Sequence, residues 1–230
     1  VAAGSAAGGL AGSVAAGSAA GGSTGWVAAG FGVEADGLLW PAADTVAAGW
    51  WAAAGLEPSG HYCLRPADPL PGPLPPGVTA RAARADEADD VVALHREAIA
   101  FQAAASPYVR LLPAALPGFR TRLRDGTSTS TVLAAGRRLL AVCEWWPVDG
   151  AGPPLPPGRY AYLNSVAVTA AARSSGLGRA VVAAAVAAAG PDVDGSTLWF
   201  SPQNPIASRV WPHLGWRPYW TAWERRACLS

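Results

Sequence analysis

The sequence predicts an α/β protein: a mixed sheet with helices packed on both faces, an α+β arrangement preceded by a partial copy of itself. Three observations point there. After residue 78, apolar runs of strand length alternate with segments of helical period. Residues 38–58 recur, diverged but ungapped, at 198–218. Finally, 230 residues that are 51% hydrophobic can bury a sizeable core, enough for one large domain or one and a half ordinary ones, despite 27 Gly and 21 Pro.

At the start of the chain, Val-Ala-Ala-Gly-Ser-Ala-Ala-Gly-Gly at 1–9 recurs unchanged at 14–22, a period that fits no solenoid and reads as replication slippage. Residues 1–25 are therefore expected to be low-complexity sequence, mobile or loosely helical. The first 33 residues carry no charge, but Ala, Gly and Ser contribute little transfer free energy, and the first Arg is Arg65, so neither a membrane span nor a secretory leader is expected.

The longer repeat aligns LLWPAADTVAAGWWAAAGLEP with LWFSPQNPIASRVWPHLGWRP at a constant offset of 160. Each copy reads as a short strand, a helix capped by Asp44 or Asn204, a Trp (51 or 211), a Gly stop (55 or 215) and a Pro (58 or 218). The offset sets Val1 opposite Ala161, so residues 1–65 are expected to be a truncated, degenerate first copy. The Pro-rich stretch 66–77 is read as a semi-rigid linker, and 78–230 as a complete domain. Charge divides at the same place: 1–64 hold four acids and no base, 65–230 hold 17 bases and 12 acids.

Within the second unit, 78–83 reads as a strand, with Asp86 capping a helix over 87–102 and a second helix over 111–124. Residues 131–135 and 139–146 form a hairpin about Gly136. A Pro/Gly loop at 147–158 leads to a strand at 160–168. An Ala/Val helix (177–189), a strand (196–201), the helix 204–214 and a strand (218–225) complete the alternation.

A net charge of +1 argues against nucleic-acid binding by bulk electrostatics. All 17 basic residues are Arg, so a Gly-Lys-Ser/Thr phosphate loop, a Schiff-base lysine and a kinase-type lysine are excluded. Cys63, Cys143 and Cys228 match neither a disulfide framework nor a zinc spacing, which favours a reducing, cytoplasmic setting.

The stretch most suited to chemistry is Arg173-Ser-Ser-Gly176-Leu-Gly178-Arg179, between a strand and a helix. Such a junction offers unpaired backbone N–H groups and a positive helix dipole, glycines let backbone approach an anion, and two Arg add charge-assisted contacts. Strand, Arg-x-x-Gly-x-Gly, helix, strand and then Asn204-x-x-Ala207-x-x-x-Trp211-x-x-Leu214-Gly215-Trp216 together resemble the GNAT superfamily of N-acetyltransferases over residues 78–226.

The resemblance implies the acyl-CoA N-acetyltransferase fold with acetyl-CoA as co-substrate. It implies that Arg173, Ser174, Gly176, Gly178 and Arg179 hold the pyrophosphate, that Val166, Ala167 and Val168 pair with the pantetheine arm as an added strand, and that Asn204 lies near that arm. Trp211 stands where the family has a Tyr acid, and indole N–H is not a usable acid. The usual strand carboxylate is replaced by Asn164 and Ser165. Glu144 is then the candidate general base, with Asn164 orienting the amine or a water; a Glu on a solvent face and a packing or basic role for His95 are weighed beside it.

The expected reaction is acetyl transfer to a primary amine of a small-molecule or peptidic acceptor, lined by Phe101, Gln102, Tyr108, Trp145 and Trp146. The alternative is a non-catalytic acyl-CoA-binding or scaffolding module. No metal, nucleic acid or membrane is expected as a partner, and the chain is expected to be a monomer or homodimer.

Overall fold

The computed structural model describes residues 38–108, 115–152 and 154–225. The low-complexity stretch 1–25 and Cys228 lie outside them. The elements in order are β1 (Leu38–Pro41), α1 (Thr45–Ala53), β2 (Leu56–Pro66), β3 (Thr79–Ala82), α2 (Ala88–Ala105), α3 (Ala115–Asp125), β4 (Thr129–Ala135), β5 (Arg138–Gly152), β6 (Leu155–Val168), α4 (Leu177–Ala188), β7 (Gly195–Phe200), α5 (Ala207–His213) and β8 (Arg217–Arg225).

The described strands form one sheet in the order β1-β8-β2-β7-β6-β5-β4-β3, antiparallel except where β6 runs parallel to β7. On one face α4 and α5 pack Leu177, Val181, Ala207 and Leu214 against Leu163, Cys143 and Leu198. On the other, α2 packs Val91 and Leu94 against Val132, Val142 and Ala167, with Leu123 of α3 beside them. Both faces are thus covered, as the element order predicts.

The described part of the early segment joins the same sheet: β2 is inserted between β7 and β8. The registers there have a regular relation. Strand β1 meets β8 from Leu38↔Trp223 to Trp40↔Thr221, and β7 meets β2 from Leu198↔Cys63 to Phe200↔His61. A shift of 160 positions carries each pair of the first set onto the second. At the centre His61 faces Thr221, itself 160 positions away, and their side chains meet at 3.1 Å. The local signals hold in both segments. Asp44 Oδ1 accepts the Ala47 N–H at 2.9 Å, and Gly55 and Gly215 stop their helices at φ of +81° and +98°.

Three local expectations are corrected. Residues 147–158 are not a loop: β5 and β6 pair through them, from Pro147↔Ala161 to Gly152↔Leu155. β4 pairs with β5 only as far as Trp145, and β7 with β6 only from Tyr160, so this two-stranded arm has open edges, where proline is tolerated. Asp86 does not cap α2; a 3₁₀ turn (Ala85–Glu87) precedes it, and Glu87 Oε2 accepts the Arg84 N–H at 2.8 Å while pairing with Arg81 and Arg84. The stretch read as a linker packs against the domain through Leu70, Pro71 and Gly72.

Candidate active site

The site is organised by a break in the sheet. β6 and β7 pair from Tyr160↔Gly195 to Leu163↔Leu198 and then part. The register with β5 slips at the same point, Trp145 facing Leu163 and Glu144 facing Ser165, which leaves Asn164 as a bulged residue. A bulge bends its strand and redirects side chains. Beyond it, Ser165 to Val168 remain paired to β5 while their β7-side edge is open. Val166, Ala167 and Val168 thus occupy a strand edge with free backbone donors and acceptors, as pairing with an extended arm requires.

The bulge turns Asn164 and Ser165 toward the α2 face, where Glu144 lies 1% exposed. Glu144 is on no solvent face, and its surroundings are not apolar. It accepts from Arg122 Nε (2.9 Å) and Nη2 (3.1 Å), from Ser128 Oγ (2.8 Å) and from Asn164 Nδ2 (2.6 Å). Four donors occupy the acceptor sites of one carboxylate. Arg122 lies between the rings of Phe119 (4.9 Å) and Trp146 (5.6 Å). Among the described residues, Asn164 Oδ1 is buried without a hydrogen-bond partner.

His95 is fully buried, stacked on Phe119 at 4.1 Å, with Nδ1 2.9 Å from Ser165 Oγ. Desolvation depresses its pKa to about 4, only partly opposed by the Glu144 charge, so the ring is neutral at physiological pH. Cys143 and Cys63 are buried, and desolvation raises both thiols, Cys63 to about 12, which leaves them as core filling.

The loop before α4 turns through two residues in the left-handed region. Gly176 is the residue before the helix at φ +82°, Ser174 lies at φ +64°, and no atom lies within 4 Å of where a Cβ at Gly176 would sit. Arg173 makes an exposed 3.5 Å pair with Glu97 of α2, and Arg179 donates from Nε to the Pro71 carbonyl at 2.6 Å. Asn204 has its Oδ1 engaged by the N–H groups of Ile206 and Ala207, both at 3.1 Å, so its oxygen caps the turn into α5. Trp211 meets Trp216 edge to face at 5.5 Å, a packing role.

Of the expected acceptor wall, Trp146 faces this cluster. Trp145 belongs to the opposite core, its Nε1 donating to Thr131 Oγ1, because alternate strand residues point to opposite faces. Tyr108 donates to Glu57 Oε2 at 3.0 Å, and Ser106 meets Ser201, whose neighbour Gln203 donates to the Pro58 carbonyl. Phe101 is exposed and Gln102 half-buried at the end of α2. Sequence reasoning missed Arg122, Ser128 and the contribution of Glu57 and Pro58, since no local pattern marks side chains that meet across the fold.

No curated protein sequence matches the chain significantly. Among solved structures, a tetramutant of a Bacillus halodurans protein is 21% identical, covering 60% of this chain and 93% of its own, with a TM-score of 0.52. The aminoglycoside N-acetyltransferase AAC(6')-Iy in complex with CoA is 15% identical, covering 64% of this chain and 93% of its own (TM-score 0.51). A functionally unknown conserved protein from Staphylococcus epidermidis is 9% identical over 83% of this chain and 73% of its own (TM-score 0.51). At such identities the likeness is one of fold. The model of the acetyltransferase (GNAT) family matches residues 93–216, more than half of the chain and including the bulged strand, the Gly loop and α5, and the chain belongs to that family.

Proposed function

We propose that the protein transfers an acetyl group from acetyl-CoA to a primary amine, and that residues 1–65 are a truncated, degenerate first copy whose residues 38–58 correspond to 198–218. The carrying observation is that β6 and β7 part at Leu163↔Leu198, immediately before the bulged Asn164, with an open strand edge and the 173–179 loop beyond. That edge suits the pantetheine arm (Val166 to Val168), and the loop with Arg173, Ser174, Gly176, Gly178 and Arg179 suits the pyrophosphate. Asn204, with its oxygen committed to the cap, retains its amide nitrogen for the arm.

Acetyl-CoA supplies the activated carbonyl; the chain supplies position and polarity. Open backbone N–H groups of β6 stabilise oxyanion charge. Asn164 Oδ1 accepts a hydrogen bond from the acceptor amine and orients its lone pair, and Glu144 holds Asn164 rather than taking the proton itself. The amine therefore attacks in its neutral form: its nitrogen bonds to the acetyl carbon, the carbon–sulfur bond breaks, and the proton the nitrogen sheds ends on the departing thiolate, giving the amide and CoA. Trp146 and Tyr162, 5.0 Å apart on the α2 face, favour an acceptor with apolar bulk.

The committed carboxylate and the indole at 211 also favour a second reading, an acyl-CoA-binding module without turnover. Acetyl-CoA should raise the melting temperature of the wild type, and Gly176→Glu should abolish the shift; absence of a wild-type shift sinks both readings. Release of CoA with a panel of amines distinguishes them, since a module without turnover releases none.

A further inference from the structure

Residues 67–78, between β2 and β3, form a strap. The buried Arg65 anchors its start, donating to the carbonyls of Pro66 (3.1 Å), Asp68 (2.7 Å) and Pro69 (3.3 Å), and to that of Leu214 at the end of α5 (3.1 Å). Leu70 packs against the core that α4 shares. The chain then crosses the first turns of α4. Arg179 Nε donates to the Pro71 carbonyl, and Gly72 lies so close that a Cβ there would sit 2.6 Å from Ala183 Cβ, 3.0 Å from Ala180 Cα and 3.1 Å from the Arg179 carbonyl. Only glycine permits that approach.

We propose that the strap is a working part of the cofactor site: it holds Arg179 in the orientation that engages the diphosphate at the start of α4. This rests on reading the 173–179 loop as the diphosphate site. Arg179 is the third residue of α4, and helical side chains lean toward the helix N-terminus, where the anion would lie. With Nε spent on Pro71, the planar fork keeps both Nη groups for phosphate oxygens in one fixed plane. A free surface Arg loses its rotamer freedom on binding; Arg179 has already lost much of it. Arg173 has no such support and must leave Glu97 to reach the anion.

The test uses the full chain and calorimetric Kd values for CoA and for pantetheine, which lacks the diphosphate. Wild type should bind CoA much the tighter. Gly72→Val, which lifts the strap from α4, should weaken CoA binding about tenfold, the scale of one charge-assisted contact, and leave pantetheine unchanged. In an Arg179→Leu background the same substitution should add nothing. If Gly72→Val does not fold, Gly72→Ala should weaken CoA by about threefold under the same comparison. An unchanged CoA affinity, an equal loss for pantetheine, or a full effect persisting without Arg179 overturns the proposal. A wild type that binds CoA no tighter than pantetheine overturns instead the assignment of the loop itself.

Discussion

Asn164 and Glu144 are joined by a 2.6 Å hydrogen bond in which the amide nitrogen donates, and this determines which way the amide faces. An ionised carboxylate only accepts, so the nitrogen must meet it and the oxygen must turn away, where it is buried without a partner among the described residues. The prediction is a division of labour. Asn164→Ala should lower kcat by roughly 10- to 100-fold, the scale of a lost positioning contact, with the acetyl-CoA Kd unchanged. Steady-state rates against the best amine, together with calorimetry, check both halves.

Glu144→Gln should act mainly on stability. It leaves Arg122, pinned between Phe119 and Trp146, without its counter-charge, and breaking a buried ion pair from one side costs about 3–5 kcal/mol. Arg122→Leu should cost as much from the other side, and the double variant should cost less than the two single losses together. Denaturant unfolding of the four proteins measures this. If Glu144→Gln folds as stably as wild type and only slows turnover, the carboxylate is a catalytic base after all.

His95 gives the fold an acid limit. Its folded pKa, near 4, lies below the usual 6.5 because burial opposes the charged ring, so the unfolded chain binds a proton that the native state refuses. Stability from this group is complete above about pH 6.5, falls as pH drops toward 4, and the loss reaches roughly 3 kcal/mol. His95→Asn, which keeps a hydrogen-bonding group toward Ser165, should flatten the melting-temperature profile between pH 6.5 and 4 relative to wild type.

How much of this was legible in sequence follows the range of each interaction. Asp44 binds the N–H three residues on, and Gly55, Gly176 and Gly215 hold positive φ, so this cap, the helix stops and the glycine turn before α4 were visible locally, whereas the Asp86 cap gave way to a 3₁₀ turn. The strand edge of Val166 to Val168 was legible through resemblance. The insertion of β2 between β7 and β8 was not, because it depends on pairing across more than 130 residues, as Cys63 with Leu198. The Pro-rich arm at 147–158 and the strap were misread for one reason: proline marks the absence of a backbone donor, and an open strand edge or a packed strap needs none there. Arg122 could not be singled out from Arg120 and Arg124, since only the fold turns it inward.

The place of β2 in the sheet gives the last prediction. Its Gly60 faces the Trp199 ring so closely that a Cβ would lie 2.2 Å from Cζ2, and the backbone beside it slips register between Pro58 and Gly60. The indole belongs to a cluster with Tyr62, Tyr162 and Trp146, so it cannot swing away without disturbing their packing. Gly60→Val should therefore destabilise by about 1–3 kcal/mol, as overpacking a filled site does. Trp199→Leu, which vacates the ring, should recover part of that loss in the double variant while being destabilising alone. If Gly60→Val melts with wild type, β2 is peripheral to the fold; if it melts early and acetyl-CoA still raises its melting temperature by the full wild-type increment, the strand supports the sheet without shaping the cofactor site.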